Sequence, residues 1–158
     1  MKKGREIQLN SIEICTACKN DVDSIFSIST LSFPVSWSKN SIEKEVTMSE
    51  NAFYLTAKMN DIIIGYGGIW KILDEAHLMN IAVHPEYRGI GAGEKILEAL
   101  IDLCRIKNIN DITLEVRVSN IPAQNLYKKF GFMQEGIRKH YYSNNNEDAL
   151  IMWKHNIL

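Results

Sequence analysis

The stretch from Ala76 to Val118 constrains the fold more than any other part of the chain. Ala76–Val83 reads as a strand. Gly91–Lys107 carries Ile96, Leu97, Leu100, Ile101, Leu103 and Cys104 on one broad stripe, the period of an amphipathic helix. Ile112, Leu114, Val116 and Val118 then alternate with Thr113, Glu115 and Arg117, the period of a half-buried strand. Strand, helix and strand in that order make a β-α-β unit. Its two strands are expected to be parallel neighbours joined by a right-handed crossover.

The flanking segments follow a different grammar. A first strand is expected within Ile7–Cys15, and a helix over Asn20–Leu31 with Val22, Ile25, Phe26 and Ser29 near one face. Ser32-Phe33-Pro34 breaks that helix. A second helix starts near Ser38 or Ser41; Ser41 as a cap has Lys44 three residues on, so it makes no capping box. Ala52–Lys58 and Ile62–Lys71 read as strands paired through the two-residue turn Asn60-Asp61. Leu73-Asp74-Glu75 turns the chain into Ala76–Val83. After the β-α-β unit comes a short helix over Pro122–Phe130, with Pro122 in its first turn and Gly131 at its C′ position. Phe132–Ile137 and Asp148–Lys154 close the chain as a strand pair, turned at Asn144-Asn145-Asn146. The expected class is α/β, a mixed and mostly antiparallel sheet with one parallel pair, in a single domain over 1–158.

Composition excludes several function classes. Lys and Arg total 18 against 19 Asp and Glu, a net charge of −1 that argues against binding nucleic acid by bulk neutralisation. The three cysteines, Cys15, Cys18 and Cys104, do not form a secreted disulfide framework, and the lone Cys15-x-x-Cys18 has no second pair to complete a zinc site. His77, His84, His140 and His155 show no ligand spacing, so no metal is expected. The basic N-terminus has no apolar stretch behind it, and Ile62–Trp70 is interrupted by glycines. Neither a signal peptide nor a membrane span is expected, which leaves a cytoplasmic, reduced protein.

The chemistry concentrates where the strand ending at Val83 meets the helix beginning near Gly91. Gly89, Gly91 and Gly93 let backbone N–H groups turn inward beside a helix N-terminus, an anion cradle suited to a pyrophosphate. A dinucleotide fingerprint fails because Glu94 and Ile96 stand where the third glycine belongs. A P-loop fails because Gly93 is followed by Glu94-Lys95-Ile96. A plain glycine turn without a ligand stays open on these residues alone. So do two readings of Glu115, a solvated carboxylate or a proton acceptor beside the loop's strand. By periodicity alone Tyr127 reads as a core aromatic, with a proton donor as the other reading.

Arg88-x-x-Gly91-x-Gly93 resembles the pyrophosphate loop of the GNAT superfamily of N-acetyltransferases. Asn80-Ile81-Ala82-Val83-His84-Pro85-Glu86-Tyr87 resembles the family's lead-in strand. Ser119-Asn120-x-x-Ala123-x-x-Leu126-Tyr127-x-x-x-Gly131-Phe132 resembles its second cofactor helix. Phe33-Pro34, Asp74-Glu75-Ala76, Leu114-Glu115-Val116-Arg117 and Tyr141-Tyr142, followed by Glu147-Asp148-Ala149 and Met152, are similar to the ribosomal-protein alanine N-acetyltransferases within it.

The resemblance implies a sheet whose parallel pair splays to hold acetyl-CoA, with helices on both faces. It implies a cofactor site at Ile81, Ala82, Val83, Arg88, Gly89, Ile90, Gly91, Ala92, Gly93, Glu94 and Asn120. It also implies direct acetyl transfer with Glu115 as general base and Tyr127 as general acid, without metal. The acceptor it implies is the N-terminal alanine of a ribosomal protein. Another amine (a protein lysine, a polyamine, an antibiotic) or a non-catalytic acyl-CoA-binding module is the alternative, and a monomer or weak dimer is expected. Departures from the family are the extra residue or two around Val35-Ser36-Trp37-Ser38, Ile90 in place of a basic or polar residue, and Glu94, a carboxylate beside the expected phosphates. The family's acceptor peptide is basic, so Glu43, Glu45, Glu50, Asp74, Glu75, Glu147 and Asp148 are candidates to face it.

Overall fold

Residues 11–158 are described by a computed structural model of the chain. In order they form β1 (Ile12–Thr16), α1 (Val22–Ser32), α2 (Lys39–Thr47), β2 (Ala52–Met59), β3 (Ile62–Ile72) and β4 (Glu75–Val83). Then come α3 (Ala92–Ile106), β5 (Asp111–Arg117), α4 (Ile121–Lys129), β6 (Met133–Tyr142) and β7 (Glu147–Lys154). One sheet of seven strands runs β1-β2-β3-β4-β5-β7-β6. Every neighbouring pair is antiparallel except β4–β5. The mixed sheet and its parallel pair are as the periodicities imply. The part of the expected first strand before Ser11 lies outside the described residues.

Local chemistry explains the element ends. Asn60 and Asp61 sit at φ 51° and 63°, the left-handed pair that matches the twist of a tight hairpin. The second helix is capped by Ser38, whose hydroxyl accepts the Ser41 N–H at 3.1 Å; of the two starts open from sequence, the earlier holds. Asn120 caps α4 by accepting the Ala123 N–H at 3.2 Å. Gly131, at φ 88°, ends that helix where a side chain would be strained.

Two apolar layers sandwich the sheet. On one face Ile96, Leu97, Leu100 and Cys104 of α3 are fully buried with Tyr127 and the inward residues Ile112, Leu114 and Val116 of β5. Each large side chain buried there contributes about 1.5–3 kcal/mol. α3 sits close because β3 offers glycine beneath it: a Cβ at Gly67 would lie 2.7 Å from Ile96 and 2.8 Å from Leu100. On the other face Val22, Ile25 and Ile28 of α1 and Ile42 of α2 pack on Tyr54, Tyr66 and Ala82.

Two irregularities in β4 set up the site. Gly68 pairs with Asn80 but Ile69 with Leu78, so Met79 bulges out of register. Of the nine residues of β4, only Glu75, Ala76 and His77 pair with β5, opposite Asp111, Ile112 and Thr113. Beyond His77 and Thr113 the parallel strands part. The fork between them opens toward the glycine loop after Val83.

Candidate active site

The fork's β4 edge presents unpaired backbone. His84 donates its N–H to the Ile64 carbonyl at 2.7 Å, and β3 and β4 pair in the register Tyr66–Ala82 and Gly65–Val83. By antiparallel alternation the Ala82 N–H also points at β3, whereas those of Ile81 and Val83 point into the fork. The Val83 carbonyl, on the fork side, accepts from Arg88 Nε at 3.1 Å. Ile81 and Val83 thus offer two backbone N–H donors on the fork side of β4. Ala82, buried on the α1/α2 face, contributes packing.

The loop follows from its residue types. Pro85–Tyr87 form a single tight turn whose start is capped by His84, with Nδ1 accepting the Glu86 N–H at 3.1 Å. Gly89 and Gly91 take φ 79° and 89°, conformations that suit glycine, and Gly91 is the N-cap of α3. Arg88 turns back on the loop: besides Val83 it reaches the Ser32 hydroxyl at 3.5 Å, bracing the loop to the end of α1. Ile90 packs against the core and Ala92 is buried, so both anchor the loop from beneath.

Gly93 tests whether the cradle suits a ligand. A Cβ there would meet only Leu126 at 3.7 Å and Val83 at 3.9 Å, ordinary contact distances, and its φ is not left-handed. The fold itself therefore does not require glycine at 93. The space above the first turn of α3 at this position is left open by the protein. Glu94, the carboxylate at this mouth, is paired with Lys129 of α4 at 2.7 Å, which neutralises it locally.

Glu115 stands two residues past the last β4–β5 pair, on the face opposite Leu114 and Val116. Its side chain is only 9% exposed, so it is not a solvated carboxylate. One carboxylate oxygen meets His77 Nε2 at 2.5 Å and the other accepts from Arg138 Nε at 3.1 Å. The His77 hydrogen bond, and with it Arg138, holds the Glu115 carboxyl below the ordinary carboxylate range against the opposing effect of burial. All three residues line a pocket of about 250 Å³ with Glu75, Thr113 and Trp153.

His77 and Arg138 are absent from the set expected from sequence. The available signal was parity: His77 and Glu115 fall on the same face of neighbouring strands, but nothing local states the register that makes them touch. Arg138 arrives from β6, on the far side of β7.

Tyr127 projects from α4 into the core against Phe132, with ring centroids 5.8 Å apart. Burial, and secondarily the Tyr142 phenol, raises its hydroxyl well above the usual phenol value, so it keeps its proton. Asn120 is committed through its oxygen to capping α4. Three of the seven acidic candidates for an acceptor surface are engaged by hydrogen bonds within the protein. Glu45 accepts from Trp70 Nε1 at 2.6 Å. Glu147 accepts from Arg117 and from the Ser119 N–H, and Asp148 from the His140 N–H at 2.8 Å. Glu75 lines the pocket. Among the described residues no group of three His, Cys, Asp or Glu is placed to hold a metal ion.

The forked parallel pair, the unpaired β4 donors and the glycine loop feeding a helix N-terminus stand together at one end of the sheet. The chain belongs to the acetyltransferase (GNAT) family, whose model matches residues 22–132, and it is an N-acetyltransferase. It is 47% identical over 133 residues to a Bacillus subtilis (strain 168) protein provisionally named a [ribosomal protein bS18]-alanine N-acetyltransferase, covering 84% of this chain and 88% of that one. A Haemophilus ducreyi protein named [ribosomal protein bS18]-alanine N-acetyltransferase is 37% identical over 142 residues, 87% of this chain and 95% of its own. The crystal structure of the ribosomal-protein-S18-alanine N-acetyltransferase from Escherichia coli superposes with a TM-score of 0.84 at 31% identity, over 92% of this chain and 94% of that one.

Proposed function

We propose that this protein transfers acetyl from acetyl-CoA to the α-amine of the N-terminal alanine of ribosomal protein bS18. The observation that carries the reading is Glu115, a mostly buried carboxylate at the point where β4 and β5 part. The acceptor is supported by the relatives, two of which are named for that alanine. Acetyl-CoA supplies an activated thioester carbonyl. The N–H groups of Ile81 and Val83 stabilise negative charge on that carbonyl oxygen. Glu115 takes a proton from the incoming ammonium. An α-amine has a pKa near 8, so about a tenth is already neutral at pH 7, and one base suffices. Tyr127, still protonated, supplies the proton that the departing sulfur needs.

The loop Arg88–Glu94 holds the diphosphate through backbone N–H groups and the α3 dipole, with Asn120 flanking it. The protein works in the cytoplasm as one catalytic domain over 1–158, monomeric or weakly dimeric, without nucleic acid. No helix among the described residues is long and apolar enough to cross a membrane.

The test is acetyl incorporation from acetyl-CoA, followed by mass spectrometry. The acceptors are the bS18 N-terminal peptide, the same peptide already acetylated, a lysine peptide with a blocked terminus, and a free polyamine. Acetylation of the first alone supports the reading. Faster acetylation of the polyamine or the lysine peptide moves the acceptor class, and turnover of none leaves a binding module.

A further inference from the structure

The β3–β4 turn breaks a rule that the other hairpin of the meander keeps. Ile72 pairs with Glu75, so Leu73 and Asp74 are the two central residues of a tight turn. Leu73 takes φ 56°, a left-handed conformation that two-residue hairpins reserve for Gly, Asn or Asp. Asn60 and Asp61 meet that demand between β2 and β3. Of the seven non-glycine residues at positive φ among the described residues, five are Asn or Asp, and Leu73 is the only aliphatic one. Burial does not compensate it, because Leu73 is 86% exposed. The residue thus costs backbone energy and leaves apolar surface in water, and the isolated chain gains nothing from it.

One exposed leucine is ordinary. This one borders a groove of about 570 Å³, and so does Ile106, the last residue of α3, itself 76% exposed. The groove is also lined by Phe53, which packs against the α3 core and carries the Lys107 ammonium 4.0 Å above its ring. An apolar knob therefore stands beside an apolar groove. Glu50, Lys71 and Lys107 line that groove and Asp74 adjoins Leu73. None of these four charged groups forms an ion pair with a described residue. A strongly basic or strongly acidic partner is met by a field of one sign. Two carboxylates and two ammonium groups make no such field, and they are the pattern of a surface that complements itself.

We propose that a second copy of this chain docks here about a two-fold axis, with Leu73 of each copy entering the groove of the other over Phe53 and beside Ile106. Asp74, next to the knob, then comes opposite Lys71 and Lys107 across the axis. The contact is small, one knob and one groove a side, below the roughly 1,200 Å² of a stable interface. The dimer is therefore weak, with a Kd of about 0.1–1 mM. Its geometry leaves both forks open. α3 separates the groove from the glycine loop by about 20 Å, and Glu115 faces away from the α3 side of the sheet. The inference stands whichever acceptor the site takes.

The experiment is sedimentation velocity of the full chain from about 0.01 to about 1 mM, a range that brackets the expected Kd. Wild type should move from monomer toward dimer. Leu73→Gly, which removes the knob and suits the turn, and Ile106→Lys, which suits a helix C-terminus, should both stay monomeric at the highest concentration. Urea midpoints taken at about 1 µM, where every form is monomeric, should be equal or higher in Leu73→Gly than in wild type. Asp74→Lys should weaken the dimer about tenfold or more, and adding Lys107→Glu should restore it. A wild type that stays monomeric throughout overturns the proposal, and so does a dimer that survives both Leu73→Gly and Ile106→Lys. A urea midpoint lowered in Leu73→Gly refutes the argument that the leucine serves nothing within one chain. Failure of Lys107→Glu to restore the Asp74→Lys dimer refutes the two-fold docking.

Discussion

The glycine loop after β4 and the side-chain cluster around Glu115 are built in different ways. The loop comes from consecutive residues, Val83 to Glu94, and is shaped by two left-handed glycines and a helix start. The cluster comes from three strands, with His77 on β4, Glu115 on β5 and Arg138 on β6, and works entirely through side chains. A backbone device tolerates side-chain change as long as the torsions survive. A side-chain device fails at one atom. Substitutions in the two regions should therefore separate binding from chemistry.

The largest effect is expected at Glu115. Glu115→Gln keeps the shape and loses the charge, so kcat should fall by roughly two to four decades, the worth of one general base. CoA affinity measured by calorimetry should stay within a factor of a few. A parallel loss of CoA binding would erase the distinction between the regions.

Gly91→Val should do the reverse. A β-branched residue at φ 89° is strained, so chemical denaturation should register a loss of about 1–3 kcal/mol. CoA affinity should drop about tenfold or more, equivalent to at least ~1.4 kcal/mol. Unchanged CoA affinity in a folded Gly91→Val protein would break the cradle assignment.

Gly93→Ala sharpens the comparison, because here fold and ligand make opposite demands. Its Cβ meets no protein atom closer than 3.7 Å, and alanine is the better helix former, so stability should hold or rise by up to about 1 kcal/mol. CoA binding should still weaken several-fold. If both improve, the space at 93 is not reserved for a ligand.

The smallest effect is one of pH, at a bridge whose histidine stacks on the pocket residue Trp153. His155 bridges Asp111 at 2.9 Å and Glu135 at 2.7 Å, and the Asp111 hydrogen bond, followed by that of Glu135, raises its pKa. A raised histidine stabilises the fold fully below its unfolded value of about 6.5, and the benefit is lost as pH rises through the folded value. Asp111, lowered chiefly by His155, contributes above about pH 4 and loses that contribution as pH falls. Urea midpoints should accordingly decline from pH 6 to pH 8 in wild type and decline less in His155→Gln. An equal decline in both proteins would remove the bridge as a source of pH dependence.

Legibility in the sequence follows the same division. The glycine loop, the stripe of α3, the alternation of β5 and the Asn60-Asp61 hairpin all lie within a few residues of chain, and each appears where the pattern indicates. Ser38 rather than Ser41 capping α2 is a local choice that two serines three residues apart left open. The Met79 bulge was invisible because its cause is the register of β4 against β3. The Glu94–Lys129 pair joins residues 35 apart in sequence. Glu94 alone reads as an unfavourable charge at the cradle, and its neutralisation appears only once α4 packs beside α3.

Backbone torsions and side-chain periodicity are properties of neighbouring residues, so the sequence by itself determined the β-α-β unit, the two-residue turn at Asn60-Asp61 and the glycine loop before α3. It also determined that Glu115 faces away from the Leu114 and Val116 side of its strand. What Glu115 touches there was decided by tertiary structure. Three pairs hold β4 to β5 before the strands part, β7 inserts between β5 and β6, and those registers bring His77 and Arg138 to its two oxygens. Register between strands distant in the chain is chosen by the burial of whole faces, and a shift of one residue would turn every side chain of a strand to the other face. No short stretch of sequence contains that choice.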